Sequence, residues 1–268
     1  MVRPSDARSS ERAVTTVDLM ALLRCLVPVA LFSLSSLAAA ADEAEVGALT
    51  GRPGIGDAAA VVPPGGVLVN PGLTVSGVPN AIGGPTGNAA PDLLVRVGLV
   101  DGLEARGGVV LVADDDARVA MSPLFAIGAR VFEEGDLVPA LVFLSTVTLP
   151  AGGNPDEDLS VEVRLMGAKT LGPIGVGVNV AANGSVVGGG WAATAGIGTS
   201  LPPDLSPFLE LYADGDLFSP KGARANLGID GGLGAQITRN VAVDVSAGIT
   251  VVGEPELFVS AGASFLWP

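Results

Sequence analysis

Three observations predict an all-β chain, a closed antiparallel up-and-down transmembrane β-barrel of about 12 strands following a cleaved signal peptide. Apolarity is high without a helical span, short segments alternate with period two, and the connections between them alternate in length. Of the 268 residues, 49% are apolar and only 16% charged, whereas a soluble globule carries about a quarter charged residues. Mean hydropathy is positive, yet beyond the N-terminus no run of 18 uncharged apolar residues exists, so helical spans are not supported. Two readings remain: a packed all-β protein of the periplasm or exterior, or a barrel whose apolar face meets lipid.

The first segment concerns the compartment. Arg3, Arg8, Arg12 and Arg24 precede or flank an apolar core at Leu26–Leu37, and Ala38, Ala39, Ala40 and Ala41 supply the small residues of a cleavage site. Residues 1–41 are therefore read as a signal peptide. The only cysteine, Cys25, falls inside it, so the mature chain is expected to have no disulfide and no cysteine metal site. Histidine is absent, which removes His-based triads and His-ligated zinc. After residue 41 there are 25 acidic and 10 basic residues, a balance that repels nucleic acid.

Residues 42–64 read as an extended leader rich in Gly, Ala and Pro. From Gly65 the barrel begins, with strands expected at Leu68–Ser76, Leu93–Leu99, Leu103–Leu111, Leu124–Val131, Val138–Leu149 and Leu159–Met166. Six more are expected at Ile174–Ala182, Val187–Ile197, Pro207–Ala213, Ala225–Ala235, Val241–Gly248 and Leu257–Trp267. Most of these lengths approach the 9–11 residues that cross a bilayer at a tilt. Short turns are expected at Asp101-Gly102, Glu134–Asp136, Thr170–Pro173, Pro202–Asp204 and Thr238–Asn240. Longer ones are expected at Gly77–Pro91, Ala113–Pro123, Pro150–Asp158 and Asp214–Gly222. Asn183-Gly184-Ser185 is read as a turn that departs from this alternation. At the first short turn, a loop of Val100-Asp101-Gly102 with Gly102 at positive φ sets Leu99 against Leu103 and Arg96 against Arg106.

Within the strands, one set of positions is apolar and the other polar, as in Val161, Val163 and Leu165 against Glu162 and Arg164. A soluble sandwich alternates in the same way with the faces reversed in meaning, so periodicity does not say which face is inside. On the barrel reading, the lumen-lining candidates are Arg96, Glu104, Arg106, Glu162, Arg164, Asn179, Glu210, Arg224, Asp230 and Asp244. Arg96, Arg106 and Arg164 would form one wall, partly neutralised by Glu104 and Glu162. Glu210, Asp230 and Asp244 would form the other, offset only by Arg224, and Gly175, Gly177, Gly190, Gly228 and Gly232 would leave open volume between them. Mutual neutralisation that plugs the barrel and a pore-lining role both remain open. The tripeptides Asp114–Asp116 and Asp156–Asp158 match no calcium loop and are read as solvated loop tips. Glycine-rich stretches lack Gly-Lys-Ser/Thr and GxGxxG, so no cofactor is expected, and no metal.

The stretch "LLVRVGLVDGLEAR" (Leu93–Arg106) resembles a family of bacterial outer-membrane proteins labelled as transporters of the MetA (phenol-degradation) pathway type. The resemblance continues in "PALVFLSTVTLPAGG", "PFLELYADGD", "LGIDGGLGAQITRNVAVDVSAGI" and "ELFVSAGASFLWP", covering most of Pro63–Pro268. It implies a barrel of about this strand number, located in the cell outer membrane, with a loosely defined transport role and no catalytic residues. Aromatics at 4% make the usual interfacial girdles thin.

The leading expectation is a non-enzymatic outer-membrane transporter passing small polar or amphipathic molecules by passive diffusion. Its expected partners are outer-membrane lipid, the barrel-assembly machinery and a small-molecule solute, with no nucleic acid. A structural barrel with a filled lumen, or a soluble periplasmic β-barrel binding an apolar ligand, are the alternatives.

Overall fold

The computed structural model describes residues 49, 56–78, 86–113, 119–150, 159–185, 188–216 and 225–268. The signal-peptide segment, both acidic tripeptides and Arg224 lie outside the described residues. Twelve strands run in chain order: β1 (Val67–Val78), β2 (Thr86–Val100), β3 (Leu103–Ala113), β4 (Val119–Phe132), β5 (Ala140–Thr148) and β6 (Ser160–Leu171). Then follow β7 (Ile174–Gly184), β8 (Gly189–Thr199), β9 (Leu205–Asp216), β10 (Ala225–Thr238), β11 (Val241–Val252) and β12 (Leu257–Trp267). Each pairs antiparallel with its sequence neighbour, and β1 pairs with β12, so the sheet closes on itself. Closure leaves no open strand edge, which is the condition for a sheet to stand in lipid.

The faces resolve the ambiguity of the alternation. Val161, Val163, Leu165, Val178, Val180, Leu209, Leu211, Val245 and Val259 are exposed on the outside. Arg96, Glu104, Arg106, Glu210 and Asp230 are buried within. A barrel in water would do the reverse. An apolar band around the whole circumference is stable against hydrocarbon and aggregates in water.

Every expected strand is present, but several are longer. β2 starts at Thr86 and β4 at Val119, so Pro91 and Pro123 lie inside strands rather than before them. Proline normally ends a strand because it lacks a donor. Here Pro91 stands opposite Leu73 and Pro123 opposite Val109, both on the outward-facing set. The β2–β3 turn is the two residues Asp101 and Gly102, with Gly102 at φ 73° and Arg96 opposite Arg106. Val100, not Leu99, faces Leu103, because a register shift between Gly98 and Val100 absorbs the extra residue. The β4–β5 connection is longer than the expected Glu134–Asp136: it spans 133–139 and folds against the β6–β7 end. There Glu134 accepts hydrogen bonds from the Thr170 backbone N–H at 2.8 Å and from Lys169 Nζ at 3.3 Å. Those two partners, the backbone donor first, hold the Glu134 carboxyl below the ordinary glutamate value.

Candidate functional site: the lumen and the segment inside it

Residues 56–66 do not lead away from the barrel; they run inside it. Val62 packs with Leu49, Leu68, Ala242 and Leu266, and Val61 with Ala126, Val142, Leu144 and Met166. The inward-facing apolar residues of β1, β4, β5, β6, β11 and β12 are thus explained by what they cover. Burying the two valines stabilises the seated segment by roughly 1.5–3 kcal/mol each. Where the segment joins β1, Gly65 N–H donates to the Gly98 carbonyl at 2.9 Å and Gly98 N–H to the Gly66 carbonyl at 3.0 Å. A side chain at 98 would strike the Pro63 carbonyl group, so glycine permits this approach.

Charge holds the rest of the segment. Glu104 is fully buried and accepts from Arg96 Nη2 at 3.0 Å, Arg106 Nε at 2.6 Å and the Val62 backbone N–H at 2.8 Å. Arg96, 1% exposed, also donates to the carbonyls of Leu49 and Ala60. Asp57 reaches Arg164 Nη1 at 2.7 Å and Arg106 Nη1 at 3.5 Å, while Arg164 Nη2 bonds Glu162 at 2.9 Å. Burial works against the charged form of Asp57. The guanidiniums of Arg106, Arg164 and Arg96 outweigh it and hold the carboxyl below the ordinary aspartate value. Three arginines therefore meet three carboxylates, one of them contributed by the segment itself.

The other wall is formed by β9, β10 and β11. Glu210 on β9 accepts the Gly56 backbone N–H at 2.9 Å. Asp230 on β10 stands directly across from Glu210 and is 2% exposed; neither of its oxygens accepts a hydrogen bond among the described residues. Asp244 on β11 sits between Gly234 and Gly262 in the register. Asn179 donates to Thr194 at 3.0 Å, with its carbonyl oxygen left without a partner. Gly228 and Gly232 do not leave the expected open volume. The Tyr212 ring lies over Gly228 and the Phe208 ring over Gly232.

Among the described residues, two cavities bear on the lumen. One of about 540 Å³ lies between Gly56–Ala58 and β6–β9, lined by Gly175, Gly177, Gly196, Gly198, Asn179 and Glu210. The other, about 890 Å³, opens at the loop end beside Asn183, Trp191, Asp214, Asp216 and Glu254. On β8 and β9 the layer between them contains Thr194 and its cross-strand partner Tyr212. Among the described residues no group of three or more Asp, Glu, His or Cys could hold a metal ion.

Known structures share this architecture. The chain is similar to a COG4313 outer-membrane channel from Pseudomonas putida F1, with TM-score 0.59 and 12% identity, covering 77% of this chain and 97% of that one. The fold is that of outer-membrane channels. The KdgM porin in complex with disordered oligogalacturonate matches at TM-score 0.56 and 10% identity over 74% of this chain and 98% of that one. The NanC porin matches at 0.51 and 9% over 74% and 98%. No protein-family model matches the chain, and no curated protein matches it.

The alternation groups these residues on one face of their strands, but it does not show the segment that meets them. Four of that segment's anchoring groups are backbone atoms: Leu49 O, Ala60 O, Val62 N and Gly56 N. Asp57 is the one side chain with a charge, and nothing in its surroundings distinguishes it. Phe208, Tyr212 and Phe258 were likewise missed. The available signal was the inner-face order Phe208-x-Glu210-x-Tyr212 opposite Gly232-x-Asp230-x-Gly228, readable once a register is assumed.

Proposed function

We propose that the chain is an outer-membrane channel passing small polar or amphipathic molecules by passive diffusion, narrowed by its own N-terminal segment. The observation that carries this reading is a polar lumen with cavities inside a predominantly apolar exterior. The end carrying the start of β1, the end of β12 and most of the tight turns would face the periplasm, after export by the signal peptide at 1–41. Lipid, the assembly machinery and a small solute are its partners; nucleic acid is not, and no enzymatic step is proposed. The resemblance to MetA-type transporters supports the same class.

On the β9–β11 wall Asp230 brings a carboxylate that no hydrogen bond among the described residues offsets, with Glu210 and Asp244 on the same inner face. Weak cation preference follows. Protein purified from outer membranes and placed in planar bilayers under a salt gradient tests this: a cation-selective reversal potential is expected, and anion preference would overturn it. A second reading, a structural barrel with a filled lumen, is favoured by the ion pairs and valines that seat residues 56–66. Absence of conductance from a folded barrel, shown by heat-dependent gel mobility, would decide for that second reading.

A further inference from the structure

The inner face of β9 reads Phe208, Glu210, Tyr212, and across it β10 presents Gly232, Asp230, Gly228. The glycines have no side chain to fill the space, so the rings lie down over them on both sides of Asp230. A methyl group at Gly232 would be 2.5 Å from Phe208 Cε1, and one at Gly228 equally close to Tyr212 Cε1. On the other flank Gly248 stands opposite Asp230. A methyl group there would lie 2.5 Å from Phe258 Cζ and 2.6 Å from Asp230 Cβ, so ring and carboxylate share the space above one glycine. Tyr212 and Phe258 are tilted at 57° with centroids 6.3 Å apart, and the Tyr212 hydroxyl is engaged with Thr250 at 3.0 Å.

The carboxylate in this aromatic frame is unpartnered. Neither Asp230 oxygen accepts a hydrogen bond among the described residues, and its cross-strand neighbour Glu210, a carboxylate, offers it no donor. A buried, unpaired carboxylate is costly unless a counter-ion or proton joins it. Aromatic faces beside a carboxylate suit one ligand chemistry well. A compact ammonium group offers N–H donors to the oxygens and its charge and alkyl edge to the ring faces. A divalent ion does not fit, because Ca²⁺ needs six to eight oxygens and Mg²⁺ octahedral oxygen geometry, and among the described residues no group of three or more Asp, Glu, His or Cys could hold a metal ion.

We propose that the β9–β11 wall holds a binding site for a compact primary ammonium ion, with Asp230 as counter-charge and the rings of Tyr212 and Phe258 as its sides. The outer cavity, lined by Asp214, Asp216 and Glu254, concentrates cations on the side from which the site is reached. On β9, Tyr212 lies between Asp214 of that cavity and Glu210 of the inner one, so the ring must turn aside to admit the ligand. The inference goes beyond conduction: a ligand can occupy this site in a barrel that passes no current.

The test is equilibrium binding of methylammonium to the full chain folded in detergent, at constant ionic strength set with sodium chloride. One saturable site per barrel is expected. Asp230→Asn should weaken binding at least about tenfold by removing the charged acceptor. Phe258→Leu, which keeps an apolar side chain and removes the ring face, should weaken it several-fold. Heat-dependent gel mobility confirms that each variant is folded, and Phe258→Leu keeps the test decisive if the other fails to fold. No saturable binding to the unmodified protein, or affinity unchanged in both folded variants, overturns the site. Displacement by potassium as effective as by ethylammonium overturns the ammonium assignment, because an alkali ion would then be the occupant.

Discussion

Both walls of the lumen bury carboxylates and treat them in opposite ways. Around β2, β3 and β6, carboxylates and guanidiniums meet at 2.6–3.5 Å, and the inner segment supplies Asp57 to complete the set. Around β9–β11, Asp230 is buried among aromatic rings and glycines with no protein partner among the described residues. The chain's own N-terminal segment packs on the first wall and reaches the second at Glu210, leaving Asp230 unmatched among the described residues. Inward charge alone therefore does not define a pathway; what matters is which charges the protein has already matched.

The largest test of that contrast removes one carboxylate from each wall. Glu104→Gln leaves Arg96 and Arg106 buried beside a neutral group and should destabilise the barrel by about 3–5 kcal/mol. Asp230→Asn removes an uncompensated charge and should be neutral or stabilising. Denaturant unfolding in detergent, followed by tryptophan fluorescence, measures both. Equal losses would erase the distinction between the walls.

The next effect concerns the seated segment. Asp57→Asn breaks its contacts with Arg164 and Arg106 and should raise single-channel conductance severalfold as residues 56–62 leave the lumen more often. An unchanged conductance would show that the two valines hold the segment without the ion pairs. pH probes the same contacts more gently. The carboxyl of Asp57 is held below the value of 3.8 it would have when released. Its contribution to seating is thus complete above that value and is lost as pH falls through the lowered one. Conductance should be flat from pH 7 to pH 5 and rise only below pH 3.8; a step between pH 5 and 7 would implicate another group. The smallest effect is expected at the turn end, outside both walls. Glu134→Gln loosens the 133–139 connection from Thr170 and should leave conductance and selectivity unchanged in bilayer recordings.

How much of this was visible in the sequence varies by element. β12 was legible in full and β6 in its face, though β6 runs on to Leu171 past the expected Met166, because every second residue of Val161–Leu165 and Val259–Trp267 is apolar and the pattern needs no partner to be read. β2 and β4 were cut short at Pro91 and Pro123, since a strand that tolerates proline does so through its position in the sheet. The charged positions of the arginine wall were legible as a face. Their pairing was not, because it depends on backbone atoms of residues 49–62, which have no periodicity. The aromatic frame around Asp230 was illegible for a related reason: it arises from the register of β9 against β10, a relation between two stretches that each look ordinary alone.

The backbone clamp between Gly98 and Gly65-Gly66 has a consequence for kinetics. The inner segment continues directly into β1 with no linker, so it behaves as a ligand tethered at its own receptor. For such short tethers the effective concentration is on the order of millimolar. A released segment would therefore return before most soluble competitors could arrive. A periplasmic molecule could keep the lumen clear only by holding the segment itself.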